Sequence, residues 1–216
     1  MHGAVIVVAG GEPEAAAQPP LPDGATVIAA DGGVDRALAL GLHVDLAIGD
    51  FDSATDAGLA AAEAAGTRVE RHPAAKDATD LELALDAALA LAPERIVVVG
   101  SAGGRLDHLL GSLLLLADER YAGVRITAFL GSSRVDVVRG SCVLAGEPDG
   151  LVSLLPMHGA AEGVTTEGLA YPLHDEGLPA GTSRGISNVL TGHAARVTVA
   201  RGCLVAVQPG LEEASP

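Results

Sequence analysis

The chain has 216 residues, of which 49% are hydrophobic and 2% aromatic, and its formal net charge at pH 7 is −15. A chain of this length forms one large domain or two modest ones, and the negative charge argues against binding to nucleic acid or to an anionic membrane. The two cysteines lack metal-ligand spacing, and neither a signal peptide nor a membrane-spanning run is visible. We therefore expect a reduced, cytoplasmic protein with no nucleic-acid or membrane partner.

Predicted strands and helices alternate over the first 131 residues. β-branched apolar runs predict strands at residues 4–9, 26–30, 44–48, 67–71, 95–99 and 124–130. Apolar residues at helical spacing predict helices at 34–40, at 56–65, from residue 80 to just before Pro93, and at 109–117. Residues 12–24 are rich in Pro, Ala and acidic groups and predict a loop. The alternation is typical of an α/β fold with a doubly wound, mostly parallel sheet.

The character of the sequence changes after Gly131. Short β-rich runs follow at 135–138, 142–144, 151–155, 196–199 and 204–207, with turn residues between them and no helical pattern. This arrangement predicts a smaller antiparallel all-β domain, built as a sandwich or barrel. We therefore predict an α/β domain over residues 1–131 and a β domain over residues 132–216, with a frayed tail at 212–216.

Two carboxylates lie one residue apart directly after the third predicted strand, in the sequence Gly49-Asp50-Phe51-Asp52-Ser53. Alternate residues of an extended segment point the same way, so Asp50 and Asp52 converge while Phe51 packs on the opposite side. Two carboxylates held so close repel each other unless a cation or a proton lies between them. Mg²⁺ carrying a nucleotide phosphate suits such hard oxygen ligands. The alternative is a polar turn that happens to contain two acids.

A cation and two further carboxylates lie within five residues at Lys76, Asp77 and Asp80. Thr79 and Glu82 fit a capping box, which predicts a helix starting at Asp80. Sites of phosphoryl transfer combine acids that hold a metal with a lysine that meets phosphate oxygens. An ordinary capped helix start, exposed to solvent, is the alternative.

Two glycine-rich turns and one polar segment complete the candidate motifs. Asp31-Gly32-Gly33 follows the second strand, where paired glycines permit close approach of a ligand to the backbone. Residues 100–108 follow the fifth strand, and there backbone N–H groups and Arg105 suit an anion. The third segment, residues 182–188, is rich in hydroxyl and amide groups. Each could be an ordinary turn, but three of the acidic or glycine-rich motifs fall at carboxyl ends of predicted parallel strands, where ligands collect.

Taken in order, these motifs resemble those of the thiamine pyrophosphokinase (thiamine diphosphokinase) family over almost the full chain. The matching segments are ADGG at 30–33, GDFDS at 49–53, KDATDLELAL at 76–85, GSAGGRLDH at 100–108, GLAYPL at 168–173 and GTSRGISN at 181–188. The resemblance implies an α/β catalytic domain, a β domain that contributes to thiamine binding and dimerisation, and a homodimeric active site. It also implies transfer of pyrophosphate from ATP to the hydroxyethyl group of thiamine, which gives thiamine diphosphate and AMP.

The resemblance assigns roles to individual residues of this chain. The implied Mg²⁺ ligands are Asp50, Asp52 and Asp80. Asp77 is implied as a further catalytic carboxylate near them. The implied ATP-binding residues are Asp31, Gly32, Gly33, Lys76, Arg105, Asp107 and His108. The implied thiamine-binding residues are Ser187 and Asn188, which would act across the dimer interface. Which carboxylate accepts the proton of the thiamine hydroxyl is left open.

The chain departs from the family pattern on the substrate side. Gly111 and Ser112 stand where the family often has Asn, and Val189 stands where an acidic residue is common. The chain has no Trp to stack on the thiamine ring, so Tyr171, Phe129 or an aliphatic surface would have to substitute.

Three alternative functions remain at this point. One is a related pyrophosphokinase acting on a pterin-like alcohol, and another is a non-catalytic nucleotide sensor. The third is a phosphoaspartate phosphatase. The position of the acid pair argues against it, because the pair follows the third strand rather than the first.

Overall fold

The computed structural model describes residues 3–11 and 19–210. The predicted loop over 12–24 therefore lies partly outside the described residues, and the predicted frayed tail lies wholly outside them. The chain divides into two compact units. Unit 1 comprises Met1–Ser112 and Val124–Ser132, and unit 2 comprises Leu113–Gly123 and Ser133–Pro216.

The described residues of unit 1 form six parallel strands. They are β1 Ala4–Ala9, β2 Thr26–Ala30, β3 Leu46–Gly49, β4 Arg68–Arg71, β5 Arg95–Gly100 and β6 Arg125–Leu130. Their order in the sheet is β6-β5-β1-β2-β3-β4. From β1 the chain moves outward through β2, β3 and β4, and then returns to place β5 on the other side of β1. The strand order therefore reverses between β1 and β5, and ligands of open α/β sheets bind at such a point.

Helices cover both faces of this sheet. They are α1 Gly33–Ala39, α2 Asp56–Ala64 and α3 Asp80–Ala90, whereas α4 Leu106–Leu116 begins in unit 1 and ends in unit 2. Val8 of β1 packs in one cluster with Val34 of α1 and Leu59 of α2. Its neighbour Val7 is equally buried but points to the opposite face, and α3, with Leu85 fully buried, contacts β1, β2 and β3. The doubly wound, mostly parallel sheet predicted from the sequence is confirmed.

The predicted start of α3 is also confirmed. Helix α3 begins at Asp80, and the Glu82 N–H donates a 3.2 Å hydrogen bond to Thr79 Oγ1. This bond satisfies one of the backbone donors that every helix start leaves without an intrahelical partner. None of the described helices is long and apolar enough to cross a membrane.

Unit 2 is built from antiparallel strands. They are β7 Ser133–Ala145, β8 Leu151–Glu167, β9 Glu176–Leu178, β10 Asn188–Val189 and β11 Ala194–Gln208. Strand β11 pairs with β7 and with β8, and the short strands β9 and β10 both pair with β8. A 3₁₀ turn at Glu119–Tyr121 also belongs to this unit. The predicted antiparallel all-β character is confirmed.

The prediction of several short strands in this region was wrong. The runs predicted at 135–138 and 142–144 are one strand of 13 residues, and those at 196–199 and 204–207 are one strand of 15 residues. Gly140 (φ 82°) and Gly202 (φ 91°) interrupt the apolar pattern, and the β7–β11 register shifts between Val199 and Leu204. Such bulges break the alternation of side chains without ending the strand.

Candidate active site

Three carboxylates converge at the carboxyl ends of two neighbouring strands. Ala30 of β2 pairs with Ile48 of β3, so the residues that follow these strands meet at one edge of the sheet. Carboxylate oxygens of Asp31, Asp50 and Asp52 all lie within 4.8 Å of one another. The predicted convergence of Asp50 and Asp52 is confirmed, and Asp31, which was assigned to the nucleotide, lies with them.

The backbone that carries these acids is not the extended segment that the sequence analysis assumed. Phe51 has φ 62° and Asp31 has φ 47°, both in the left-handed region that costs a residue with a side chain about 1 kcal/mol or more. The Asp52 N–H donates to Asp50 Oδ1 at 3.3 Å, which closes a tight turn. The turn brings both carboxylates to one site while Phe51 packs into the hydrophobic core, as predicted.

Lys76 joins this cluster to a further carboxylate at the start of α3. Its Nζ lies 2.9 Å from Asp50 Oδ2 and 3.1 Å from Asp80 Oδ1. The side chains of Lys76, Asp50 and Asp80 are only 13%, 15% and 22% exposed. The hydrogen bond from Lys76 lowers the pKa of Asp50, and the same bond raises the pKa of Lys76. The lysine therefore stays cationic and Asp50 stays anionic at neutral pH.

Asp80 is the least satisfied member of the group. Its Oδ1 is buried, and apart from the ion pair with Lys76 Nζ at 3.1 Å it has no hydrogen-bond partner among the described residues. Burial raises the pKa of Asp80, and the charges of Asp50 and Asp31 add to the rise, although Lys76 opposes it. A buried carboxylate oxygen facing other carboxylates suits a metal cation.

Gly49 leaves the space in which these acids meet. Its φ is +150°, and a Cβ there would lie 3.0 Å from Asp80 Oδ1 and 3.2 Å from the Cα of Asp31. A side chain at this position would therefore displace two of the acids. The set of hard carboxylate oxygens around a glycine fits Mg²⁺, which prefers a few carboxylates together with phosphate oxygens.

The loop after Asp52 is held by a residue that the sequence analysis missed. Asp35 of α1 accepts a 2.7 Å hydrogen bond from the N–H of Thr55, the residue that caps α2. The Ser53 N–H lies 3.4 Å from Asp31 Oδ1. No local motif marks Asp35, because its partner lies 20 residues further along the chain.

Glycines line the edge of the sheet where the strand order reverses. A Cβ on Gly33 would lie 2.0 Å from the carbonyl oxygen of Val8, and a Cβ on Gly11 would lie 2.7 Å from the Cβ of Ser101. The turns after β1 and β2 therefore pack backbone against backbone, and the turn after β1 also meets the Ser101 side chain of the turn after β5. Gly10, Gly32 and Gly33 form a glycine floor that carries no Cβ atoms, such as a phosphate-binding site requires.

The turn after β5 contains the ion pair of Arg105 and Asp107. Arg105 Nη2 lies 2.6 Å from Asp107 Oδ2, and its Nε donates to Asp107 Oδ1 at 3.2 Å. The guanidinium lowers the pKa of Asp107 to about 2. His108 is exposed, and so is Asp77, which lies outside the group of three carboxylates. The roles assigned to these four residues stay predictions.

Unit 2 contains a separate cavity of about 280 Å³. Its lining includes Ser187, Asn188, Tyr171 and Arg184. Ser187 has φ 57°, and its N–H donates to Ser153 Oγ at 3.1 Å. The segment that the sequence analysis singled out as polar therefore lines a cavity, and the assignment of thiamine to it stays a prediction.

Comparison with known proteins gives matches across both halves of the chain. Residues 21–128 match the family model "Thiamin pyrophosphokinase, catalytic domain", and residues 145–204 match "Thiamin pyrophosphokinase, vitamin B1 binding domain". The thiamine pyrophosphokinase of Bacillus subtilis (strain 168) is 30% identical over 183 residues, which are 84% of this chain and 86% of that protein.

Solved structures of the same family have the same fold. The crystal structure of thiamine pyrophosphokinase from Bacillus subtilis has a TM-score of 0.82 at 29% identity, with 95% of this chain and 98% of that chain covered. That of thiamin pyrophosphokinase from Geobacillus thermodenitrificans has a TM-score of 0.80 at 27% identity, with 97% and 99% covered. On these matches of sequence and fold, the chain belongs to the thiamine pyrophosphokinase family.

Proposed function

We propose that this chain transfers the pyrophosphoryl group of ATP to the hydroxyl group of thiamine and releases thiamine diphosphate and AMP. The hydroxyl oxygen attacks the β-phosphorus, the bond from that phosphorus to the oxygen bridging to the α-phosphate breaks, and that oxygen leaves with AMP. The hydroxyl proton passes to a base of the site. The protein contributes little covalent chemistry, so positioning and electrostatics provide most of the rate acceleration.

The observation that carries this proposal is the carboxylate cluster with Lys76 at its edge. Asp31, Asp50, Asp52 and Asp80 would hold Mg²⁺, which when bound neutralises charge on the phosphate oxygens. Lys76 lies among these acids with its charge maintained, so it is positioned to meet the oxygens of the transferred group. Asp77 is proposed to lie near the metal and assist the reaction.

We assign ATP to the edge of the sheet in unit 1. The glycine floor that includes Gly32 and Gly33 would receive the phosphates, and the turn with Arg105, Asp107 and His108 would border the nucleotide. Since Arg105 is 70% exposed in its pair with Asp107, its guanidinium can exchange that carboxylate for a phosphate.

We assign thiamine to the β domain, predicted as residues 132–216, and catalysis to residues 1–131. Ser187 and Asn188 are the proposed thiamine-binding residues, and a homodimer would bring them to the catalytic unit of the partner subunit.

Three exposed leucines on one face of α4 support self-association, since they recur at a spacing of four residues: Leu106, Leu110 and Leu114. A cytoplasmic setting accords with the free thiols of Cys142 and Cys203.

The first experiment is product analysis. The purified protein is incubated with ATP, Mg²⁺ and thiamine, and the products are separated by chromatography. We expect thiamine diphosphate and AMP in equal amounts. Thiamine monophosphate with ADP would contradict attack at the β-phosphorus, whereas ATP binding without a thiamine product would favour a pterin-like acceptor or a nucleotide sensor.

Size-exclusion chromatography with light scattering tests the dimer, and an active monomer would contradict it.

A further inference from the structure

Strand β4 ends with a cation beside the turn that carries Asp50 and Asp52. Arg71 is the last residue of β4, and it pairs in the sheet with Gly49, the residue before Asp50. The next residue, His72, donates its backbone N–H to the Gly49 carbonyl oxygen at 2.8 Å. The end of β4 is therefore tied to the backbone from which two of the clustered acids follow.

The charged side chains of β4 lie on two different faces, because alternate residues of a strand point to opposite sides. On one face the two carboxylate oxygens of Glu70 meet Arg68 Nη2 at 3.1 Å and His72 Nε2 at 3.2 Å. Arg71 points to the other face and is exposed. In the part of the chain that the structure describes, its guanidinium forms no hydrogen bond and no ion pair. The nearest acid along the strand is thus already occupied, and Arg71 keeps its charge uncompensated.

The ring of Phe51 supports the Arg71 guanidinium. The guanidinium carbon lies over the ring, 5.1 Å from its centroid. Phe51 is buried in the hydrophobic cluster against which Val69, two residues before Arg71, also packs. A guanidinium that rests on an aromatic face directs its N–H donors outward in its own plane, so they stay open to an anion. Because the ring already restricts the side chain, an anion that binds it pays less of the ordering entropy.

The order of the strands places this cation at the far end of the candidate site. The glycine floor follows β1 and β2, the clustered acids follow β2 and β3, and Arg71 ends β4. A triphosphate that begins at the floor and passes the acids therefore reaches Arg71 with its terminal phosphates. These acids carry more negative charge than the ammonium of Lys76 offsets, so a further cation favours an anionic ligand here.

We propose that Arg71 is a further ATP-binding residue, which binds the pyrophosphoryl group that the reaction transfers. The inference rests on the proposed function, because it takes ATP as the donor. The guanidinium offers a planar fork of donors, to which two phosphate oxygens can bind at once. Lys76 and Arg71 would then hold the transferred group from two sides, one from the turn before α3 and the other from the end of β4.

The test compares Arg71→Met, which keeps an unbranched side chain but removes the charge, with Arg68→Met. The second variant is a matched control, since it removes the same charge from the same strand but from the face of Glu70. Binding of ATP and of AMP with Mg²⁺ is measured by calorimetry on the full-length protein. We expect Arg71→Met to weaken ATP about tenfold or more and to leave AMP unchanged, because AMP lacks the phosphates that Arg71 binds.

Arg68→Met should bind both nucleotides as the wild type does. Equal weakening of ATP in the two variants would show a general effect of charge and would overturn the inference. No weakening in Arg71→Met, or equal weakening of ATP and AMP, would overturn it as well. Arg71→Lys keeps the charge but not the fork, so it should recover only part of the ATP affinity.

A second measurement separates phosphate binding from support of the Phe51 turn. Binding of Mn²⁺ to the protein without nucleotide is followed by electron paramagnetic resonance, with Mn²⁺ as the probe for the metal site. We expect Arg71→Met to bind Mn²⁺ no more weakly than the wild type, since the Arg71 guanidinium pairs with none of the described acids. A loss of Mn²⁺ affinity as large as the loss of ATP affinity would show that Arg71 acts through the acids and would overturn direct binding.

The outcomes separate this inference from the proposed function. A wild-type protein that neither binds ATP nor forms thiamine diphosphate overturns both. A wild-type protein that forms thiamine diphosphate, together with an Arg71→Met variant of unchanged KM for ATP, overturns only the role of Arg71. Since Arg71 is exposed, its variants are expected to fold, and thermal unfolding checks this.

Discussion

Lys76 donates a 2.9 Å hydrogen bond to Asp50, although the two residues lie 26 positions apart in the chain. The bond joins the turn before α3 to the turn after β3, and it places one cation among the acids of the candidate metal site. Lys76 therefore both holds Asp50 in place and supplies a charge that phosphate oxygens can meet.

Replacement of Lys76 should separate these two functions. We expect Lys76→Met to lower kcat/KM by about 10²-fold or more, as loss of one charged donor does in other sites. Lys76→Arg keeps the charge but not the compact ammonium, so it should recover only part of the activity. Steady-state kinetics with varied ATP measures both variants, and a Lys76→Met enzyme with normal kcat/KM would remove Lys76 from the site.

Asp52 is the most exposed acid of the cluster, so its replacement should leave the fold intact. We expect Asp52→Asn to abolish turnover, because the amide oxygen is a weaker metal ligand than the carboxylate. Asp56→Asn is the matched control: it makes the same change of charge on an exposed residue that is not among the three clustered carboxylates, and it should keep wild-type activity. Near-normal activity of Asp52→Asn would exclude Asp52 from metal binding.

Gly49→Ala tests the space in which the acids meet. Its backbone has φ +150°, and the added Cβ would lie 3.0 Å from Asp80 Oδ1. Gly66→Ala is a suitable comparison, since Gly66 has φ +96° but nothing within 4 Å of the added Cβ. Both variants should lose about 1–3 kcal/mol in free energy of unfolding through backbone strain. Only Gly49→Ala should also lose activity, and equal activities would contradict the proposed packing of acids around Gly49.

The ion pair of Arg105 and Asp107 makes a prediction about pH. The pKa of Asp107 is lowered from 3.8 to about 2, so the pair stabilises the fold fully above pH 3.8 and the contribution is lost as the pH falls towards about 2. Both side chains are largely exposed, so the effect should be small and should weaken in salt. NMR titration should find the pKa of Asp107 near 2 in the wild type and higher in Arg105→Met, since the hydrogen bond from Arg105 is the largest cause of the lowering. A pKa that does not move would show that Arg105 is not its partner.

The parallel strands could be predicted because each is a short, continuous apolar run. In β1 the four residues Val5, Ile6, Val7 and Val8 are all buried, so the run reports burial on both faces of the sheet. The long strands of unit 2 could not be predicted as such. A glycine such as Gly140 or Gly202 interrupts the apolar pattern in the same way whether it lies in a bulge or in a turn.

The candidate site could be predicted only in part for a related reason. The convergence of Asp50 and Asp52 follows from their local spacing, which a sequence displays. That Asp31 joins them depends on β2 lying beside β3, and the support from Asp35 depends on the contact of α1 with the loop before α2. Neighbours in a sheet are set by topology, which spacing along the chain does not record.

The position of β1 in the sheet also affects how the protein is made. Val5 pairs with Thr26 on one side and with Ile96 on the other, so β1 has β2 and β5 as its neighbours in the sheet although β5 is synthesised much later. One of its edges stays without a partner while about 90 further residues are synthesised, at rates near 5–20 residues per second. During these seconds an apolar strand is open to pairing with another chain. Until β5 is made, β1 therefore keeps one open edge, which makes synthesis a stage at which this chain can aggregate.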